Sequence, residues 1–520
     1  MIHNCNIWIH NHNELCKRFL FVALMLTGII VRIWEFGVIP GDINQDEAFA
    51  GFEAYSLLHY GTDSSGYAFP VYFTAWGSGM NALEIYLMIP FISLLGLNTF
   101  AIRMPQVIIA CFTLWVIFLL TKKIFQSAIC FISLFLTAIM PWHIMLSRWG
   151  LESNLAPAFL IFGLYFFVLG LEKPLFYPLS ALFYGLSLYC YATIWLIVPL
   201  ILFLQILYCI CYKKIQLCKE TVISVLILFI LALPLLLFLL INQGILPEIQ
   251  TSFFSIPKLV VMRSNEVSLN NIGSNLKNLC YILFYQSDHY IVNAADFFGI
   301  FFPITLPLFL IGLFLLLCDI INHWKEKHFD AGIFIMIYFA ASFLLGLLVE
   351  ANITKINSLI LPMIIIVSYG LYKMSLRFKK TAVLIFTAYF VLFISFTNYY
   401  FTGYKEKVKE YFYYGAAEMI ERALDYDTTI YVTQKLPYPI VLFYSKENVT
   451  AYIDTVQYNN YPSSFLDVDG FTNYSYNIDL NHLDEQALYL LDDSYDTSVF
   501  TNAGFTIIHS DGMFYLAYKQ

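Results

Sequence analysis

Charge is what this sequence lacks: Asp, Glu, Lys and Arg make up 12% of its 520 residues, about half the roughly 25% of an ordinary soluble domain. A soluble enzyme is excluded, because 60% hydrophobic residues and a mean hydropathy of +0.70 leave too little polar surface to face water. Positive charge is scarcer still. Lys and Arg number 28 against 36 Asp and Glu, a net −8, so the basic footprint of a nucleic-acid binder is missing. Cysteine is thin as well: ten in all and none in the last 200 residues. The closest pair, Cys209 and Cys211, lacks metal-ligand spacing, so neither a disulfide framework nor a zinc site is expected. No glycine-rich phosphate loop and no internal repeat is evident.

What the chain has in quantity is apolar length. Runs long enough to cross a bilayer, about 17 to 25 residues, lie near 19–39, 104–121, 124–141, 155–171, 175–191, 194–212, 221–242, 297–319, 332–349, 356–373 and 381–399. The first is not a cleavable signal peptide, since it is long, lacks a small-residue cleavage site and follows a polar tail. The apolar segment 82–98 carries Glu84 and Pro90, and charge decides its place. If it stays on one side as an interfacial or re-entrant helix, Lys17/Arg18, Lys122/Lys123, Lys173, Lys213/Lys214/Lys219, Lys325/Lys327 and Lys373/Arg377/Lys379/Lys380 all share the other side. By the positive-inside rule that other side is the cytoplasm.

The sequence therefore reads as a polytopic α-helical membrane protein of about eleven transmembrane helices. It divides into a transmembrane domain over 1–399 and a soluble extracytoplasmic α/β domain over 400–520. That tail holds 7 Lys and Arg against 17 Asp and Glu, a net −10, which leaves +2 for the rest. Helical spacing marks 411–426, while 429–433, 438–444, 487–491 and 505–510 read as buried strands. The N-terminus is expected in the cytoplasm of a multi-pass cell-membrane protein. The outer face then receives loops 40–103, 142–154 and 243–296 and the tail. Trp34, Trp142, Trp149 and Trp195 sit near run ends and read as interfacial anchors.

Chemistry-bearing residues gather in those outer pieces. The first loop contains PGDINQDEAFAGFEAYSLLHYG (40–61), a polar turn into a short amphipathic helix opened by Asp46 and Glu47. Acids at a helix start either cap it or hold function at membrane level. The second loop, PWHIMLSRWGLESNLAP (141–157), brings Arg148, Glu152 and Asn154 close in sequence. Arg148 and Glu152 are four apart, so they either form a helical ion pair or serve a site. His143 reads as an interfacial histidine rather than a metal ligand. The third loop offers Asp288 and His289 as substrate contacts, while Lys258 and Arg263 read as solvated charge. Lys355 and Asn357 stand at the membrane edge, where Lys355 either neutralises a lipid phosphate or marks the interface.

With these residues set out, the chain resembles the GT-C superfamily of membrane glycosyltransferases, especially its bacterial protein O-mannosyltransferase and aminoarabinose transferase-like branch. Three landmarks carry the resemblance: Asp46-Glu47 opening a helix in the first outer loop, AIRMPQ (101–106) with Arg103, and SRWGLESN (147–154). It implies a sugar donor held on a polyprenyl phosphate, transfer on the extracytoplasmic face and inversion at the anomeric carbon. It further implies Asp46 as general base, Glu47 positioning it or the acceptor, and Glu152 binding acceptor or orienting the base. Arg148 and Lys355 are the implied ligands of the donor phosphate, and Arg103 a brace for the first loop. Asn154, Asp288, His289 and Asn357 are placed as structural or substrate-positioning residues. The implied partners are a cell-envelope glycan, lipid or protein acceptor and the lipid bilayer, with no nucleic acid. No cofactor is expected: some relatives use a divalent metal, but Asp46, Glu47 and Glu152 are too few oxygen ligands. The rival reading is a transporter or flippase of lipid-linked sugars, for which mid-membrane charges and inverted repeats are expected.

Overall fold

A computed structural model describes residues 2–519 apart from 127 and 263–266, with side chains from residue 14 onward. Its helices follow the apolar runs. They are α1 (Ile2–Ile33), α2 (Gln45–Tyr60), α3 (Leu83–Leu95), α4 (Thr99–Phe125), α5 (Ile129–Ile139), α6 (Pro141–Leu146), α7 (Ala156–Gly170), α8 (Tyr177–Ser187), α9 (Ile194–Cys211) and α10 (Lys219–Asn242). Then come α11 (Ile272–Tyr285), α12 (Thr305–Lys325), α13 (Ile333–Leu348), α14 (Ile360–Arg377) and α15 (Lys379–Thr402). The eleven expected runs fall on α1, α4, α5, α7 to α10 and α12 to α15. Among the described residues seven helices are long and apolar enough to cross a membrane: α4, α9, α10, α12 and α15, with α7 and α14 counted from the turns before them. This is a multi-pass membrane protein. Helices α5 and α8, of 11 residues each, are shorter than the roughly 17 a full crossing needs.

Helix α3 is also short, at 13 residues, with Pro90 inside it. Where α12 and α14 cross, Gly312 and Gly370 meet backbone to backbone: a Cβ on Gly312 would lie 2.2 Å from the Ile366 carbonyl. Such close approach admits only glycine, and small residues at crossings are how membrane helices gain packing without a hydrophobic driving force.

Contacts sort the connections onto two ends of the bundle. At one end Lys123 pairs with Glu172 at 2.5 Å, Lys373 with Asp319 at 2.7 Å, and the Tyr208 hydroxyl donates to the Asp330 carbonyl at 3.2 Å. At the other end the long loops after α1, α5, α10 and α13 bond to one another, as described below.

The chain after α15 continues through α16 (Tyr404–Val408), α17 (Ala416–Ala423), α18 (Tyr438–Ser445), α19 (Val449–Thr455) and α20 (Thr497–Asn502). Short strand pairs β1 (Tyr72–Phe73) with β2 (Met80–Asn81) and β3 (Ile249–Gln250) with β4 (Ser255–Ile256) lie in the loops. The remaining strands are β5 (Ile430–Val432), β6 (Gln457–Tyr458), β7 (Val468–Phe471), β8 (Tyr474–Ser475), β9 (Leu488–Asp492), β10 (Thr506–His509) and β11 (Phe514–Tyr518). They form one sheet in the order β10-β11-β9-β5-β8-β7-β6, with β5 parallel to both neighbours.

Two expectations for this region need correction. Residues 438–444, expected as a strand, form helix α18. A short apolar run carries no period that separates strand from buried helix, and Pro439, which would break a central strand, sits harmlessly in the first helical turn. The helix expected over 411–426 shrinks to α17, because Gly415 takes φ +93° and holds the preceding residues in turns. Nor does the sheet region stand apart from the first loop. Phe49, Phe52, Ile440, Val441 and Phe443 share one buried core, and α18 lies against α2 so closely that a Cβ on Gly51 would meet Phe443 at 2.7 Å.

Candidate functional site

The site begins where α2 starts. Asn44 caps the helix, its side chain accepting from the Asp46 amide at 3.0 Å while Glu47 returns the bond to the Asn44 amide at 3.1 Å. This reciprocal arrangement satisfies two exposed amides at once. It also fixes the two acids differently: Glu47 is wholly buried, whereas Asp46 is half-buried.

Glu47 is a clamp. Its carboxylate accepts from Arg103 Nε at 2.7 Å and Nη2 at 2.8 Å, and from the Gly150 amide at 2.5 Å. Arg103 also donates to the Asp42 carbonyl at 2.7 Å and the Gly41 carbonyl at 3.2 Å, over the ring of Phe412. One buried ion pair thus joins the first loop, α4 and the second loop. With four donors on its two oxygens, Glu47 has no free lone pair for an acceptor hydroxyl, an arrangement that suits the positioning role expected of it.

Gly150 lies between two acids. A Cβ there would sit 3.2 Å from Glu84 Oε1 and 3.6 Å from Glu47 Cγ, so any side chain would press on the carboxylates. Glu84 is buried and accepts from Gln106 Nε2 at 2.9 Å. Burial, with Glu47 and Asp46 nearby, pushes its carboxyl up to about 8. Glu152, barely exposed, accepts from the Asn81 amide and lies within electrostatic reach of Glu84 and Asp46. Asp46, Glu84 and Glu152 are therefore neighbours. Glu84 carried no role in the sequence reading, although a lone acid opening an otherwise apolar helix is a signal of this kind. Among the described residues, no three His, Cys, Asp or Glu are arranged to hold a metal ion.

Arg148 does not pair with Glu152. Its guanidinium is buried and donates to the carbonyls of Val31 and Arg32 at 3.2 and 2.8 Å, and of Trp34, Glu35 and Ile39 at 2.7, 3.0 and 3.3 Å. The first two are carbonyls left orphaned where α1 ends, and the other three belong to the turns that follow it. With both terminal nitrogens so engaged, Arg148 caps α1, and its assignment to the donor phosphate is withdrawn. Arg32, unnoticed in the sequence, does similar work: it donates to Gly28, Thr137 and Ala138 carbonyls and meets His143 Nδ1 at 2.6 Å. Burial and that guanidinium hold His143 well below its ordinary pKa, so it stays neutral. Trp142 and Trp149 are buried rather than interfacial, Trp149 packing its ring against Phe412.

Beyond Glu152 the second loop meets the loops after α11 and α13. Asn357 Nδ2 donates to the Ser153 carbonyl at 2.7 Å, and Asn154 Nδ2 to the Leu146 carbonyl at 3.3 Å. Asp288 accepts from Asn293 Nδ2 at 2.8 Å and from the Ile353 amide at 2.9 Å, which pins one loop to the other. Its role is that of a tie. His289 is exposed and its ring lies tilted against Tyr281, with 5.3 Å between centroids, outside this junction. Asn154, Asn293, Thr354 and Asn357 line a cleft with Trp142 and Trp149, with about 10 Å³ of room, which suffices for one water. Lys355 sits half-buried beside it in sequence. Arg263 lies outside the described residues.

A second buried pair of acids lies at the far end of α2. Glu53 accepts from the Ser64 amide at 2.8 Å and from its hydroxyl, while Asp63 accepts from the amides of Ser65 at 2.9 Å and Tyr67 at 2.8 Å. Neither meets a cation among the described residues, and burial raises both well above the carboxylate range. Protons held more tightly in the fold than in the unfolded chain contribute stability below the unfolded pKa, and that stability drains away as pH rises through the folded values. Thermal unfolding of the wild type is therefore expected at a lower temperature at pH 9 than at pH 6, with a smaller drop in Glu53→Gln. Equal drops in both proteins would contradict this.

Residues 83–238 match the family described as dolichyl-phosphate-mannose-protein mannosyltransferase. Among solved structures, ArnT from Cupriavidus metallidurans bound to undecaprenyl phosphate aligns with TM-score 0.54 at 11% identity, over 96% of this chain and 97% of that one. The chain has the GT-C fold. The Archaeoglobus fulgidus oligosaccharyltransferase, in complex with Zn and sulfate, is similar to this GT-C chain with TM-score 0.52 at 14% identity, over 82% of this chain. The chain spans 61% of the length of that protein. The archaeal oligosaccharyltransferase AglB from the same organism, in complex with an inhibitory peptide and a dolichol-phosphate, aligns with TM-score 0.52 at 12% identity, over 83% of this chain and 64% of that one. No curated protein sequence matches significantly.

Proposed function

We propose that this protein transfers a sugar from a polyprenyl-phosphate-linked donor to an acceptor hydroxyl on the extracytoplasmic face, with inversion. The observation that carries the reading is the division of labour at the start of α2. Glu47 is spent on Arg103 and Gly150, and Glu84 is enclosed, while Asp46 keeps access to solvent beside them. A half-open carboxylate held by a rigid capped helix is suited to take the proton from an acceptor hydroxyl. The acceptor oxygen then attacks the anomeric carbon and the lipid phosphate leaves with the bonding pair. Glu152 orients the base or the acceptor from the second loop, and Lys355 neutralises the departing phosphate.

The matched family description names a dolichyl-phosphate mannose donor, and undecaprenyl phosphate and dolichol-phosphate are bound in ArnT and AglB respectively. Those likenesses favour a lipid-phosphate donor without choosing its sugar. The acceptor is a cell-envelope glycan, a lipid or a protein. The Lys and Arg clusters at the opposite end of the bundle favour a cytoplasmic N-terminus, with the site and the tail outside.

The test is a panel of short-chain polyprenyl-phosphate sugars given to purified protein in detergent, with labelled sugar transfer or donor hydrolysis as the readout. Turnover with one donor supports the reading; binding of donors without release of lipid phosphate overturns it in favour of a transporter. Lys355→Ala is expected to raise the KM for the donor roughly tenfold, the loss of one charge-assisted contact. An unchanged KM would remove Lys355 from the site.

A further inference from the structure

Away from the membrane, the sheet offers a second place to bind. Strands β8, β5 and β9 run parallel, side by side, with β5 in the middle. From β5 the chain passes out to the edge strands β6 and β7, comes back as β8 on one flank of β5 and then crosses to β9 on the other, so the loops leaving β5 and its neighbours part company. In open α/β sheets such a divergence leaves a crevice outside the carboxyl ends of the strands, and ligands bind there. A crevice of about 300 Å³ lies at that point, lined by Gln434, Tyr476, Asn477, Ile478, Asp479 and Tyr495. Gln434 follows β5, residues 476–479 follow β8, and Tyr495 follows β9. Each wall thus comes from a different parallel strand.

The lining selects the ligand. No cation is among these six residues. The adjacent Lys435 is held by Asp492 at 2.6 Å and Asp493 at 3.4 Å. Residues 400–520 carry a net −10, so a phosphate, a nucleotide or an anionic polymer is repelled. Within the crevice Gln434 Nε2 donates to the Tyr476 carbonyl at 3.2 Å, and Asp479 accepts from the Asn481 amide at 2.9 Å and meets His482 Nδ1 at 3.0 Å, which leaves the Gln434 carbonyl, the Asn477 amide, the remaining lone pairs of Asp479 and the tyrosine rings to face a ligand. That set matches a ring of neutral hydroxyls with an apolar C–H face. The volume stands at the low end of the roughly 300–1,000 Å³ of ligand pockets, the scale of one or two sugar units.

We propose that the crevice formed by Gln434, Asn477, Asp479 and Tyr495 at the carboxyl ends of β5, β8 and β9 binds a neutral sugar residue. This site is separate from the carboxylates of the first loop and is read by binding rather than turnover, so it stands or falls independently of the catalytic reading. It is also linked to them: the loop holding Gln434 runs directly into α18, which packs on α2.

The experiment is saturation-transfer NMR on the full-length protein in detergent, with mannose, galactose, N-acetylglucosamine and their short oligomers as probes. Transfer to at least one probe is expected. Asn477→Ala and Gln434→Ala, both at exposed positions, are expected to weaken it roughly tenfold with the melting temperature unchanged, and Asp46→Asn is expected to leave it intact. The proposal is overturned if no probe shows transfer, if neither crevice variant alters it, if Asp46→Asn abolishes it, or if inorganic phosphate competes for the site.

Discussion

Asp46→Asn is expected to lower sugar transfer by roughly 10² to 10⁴-fold, the range a positioned general base supplies, while leaving the protein folded. The substitution keeps the size of the side chain and its place in the first turn of α2. The cap does not depend on it, because Asn44 accepts from the Asp46 backbone amide and Glu47 completes the box. The check is turnover beside a size-exclusion profile and a melting curve for each protein. Full activity in a folded variant would strip Asp46 of the role of base. Glu84→Gln tests the neighbouring acid: the Glu84 carboxyl is raised to about 8 by burial, so near neutral pH it is largely protonated and a neutral amide replaces it with little loss of rate.

Breaking the clamp has the second large effect. Arg103→Leu leaves the Glu47 carboxylate buried without a cation, and removing one partner of a buried pair costs about 3–5 kcal/mol. The damage spreads, because Arg103 also holds the Gly41 and Asp42 carbonyls and covers Phe412. The variant is expected to melt well below the wild type and to lose activity with its structure. Glu47→Gln, which keeps the shape and part of the hydrogen bonding, is expected to lose less stability. Equal melting of Arg103→Leu and the wild type would show that the pair carries little of the fold.

Much of the fold was legible in the sequence because apolar length is a strong constraint: a crossing helix needs a long apolar run, and eleven were there. Residues 438–444 were illegible for the opposite reason. Seven mostly apolar residues fit a buried strand or a buried helix equally well, and the decision rests on α2, nearly 400 positions away. The site shows the same limit. Which of Asp46 and Glu47 is drawn into the buried clamp is set by Arg103 and Gly150, which lie 56 and 103 positions from Glu47. The place of Arg148 is not legible because its partners are backbone carbonyls at the end of α1 and in the turns after it, and carbonyls leave no mark in a sequence. Glu84 was passed over because its neighbours arrive from the first and second loops and from α4.

The loops do more than carry side chains. The segment before α17 lies across the start of α2: Phe412 and Tyr411 carbonyls accept from Ile43 and from the Asn44 side chain at 3.2 and 2.9 Å, and Asp42 accepts from the Gly415 amide at 2.8 Å. The C-terminal region is thus part of the frame that holds Asp46.

The most direct test of one-step transfer from a lipid phosphate is to follow a donor of defined anomeric configuration by NMR, reading released lipid phosphate and product anomer together. Release of one lipid phosphate per sugar transferred, with the anomeric configuration inverted, is the expected result. A retained configuration, or donor that remains intact while the protein binds it, would contradict the account.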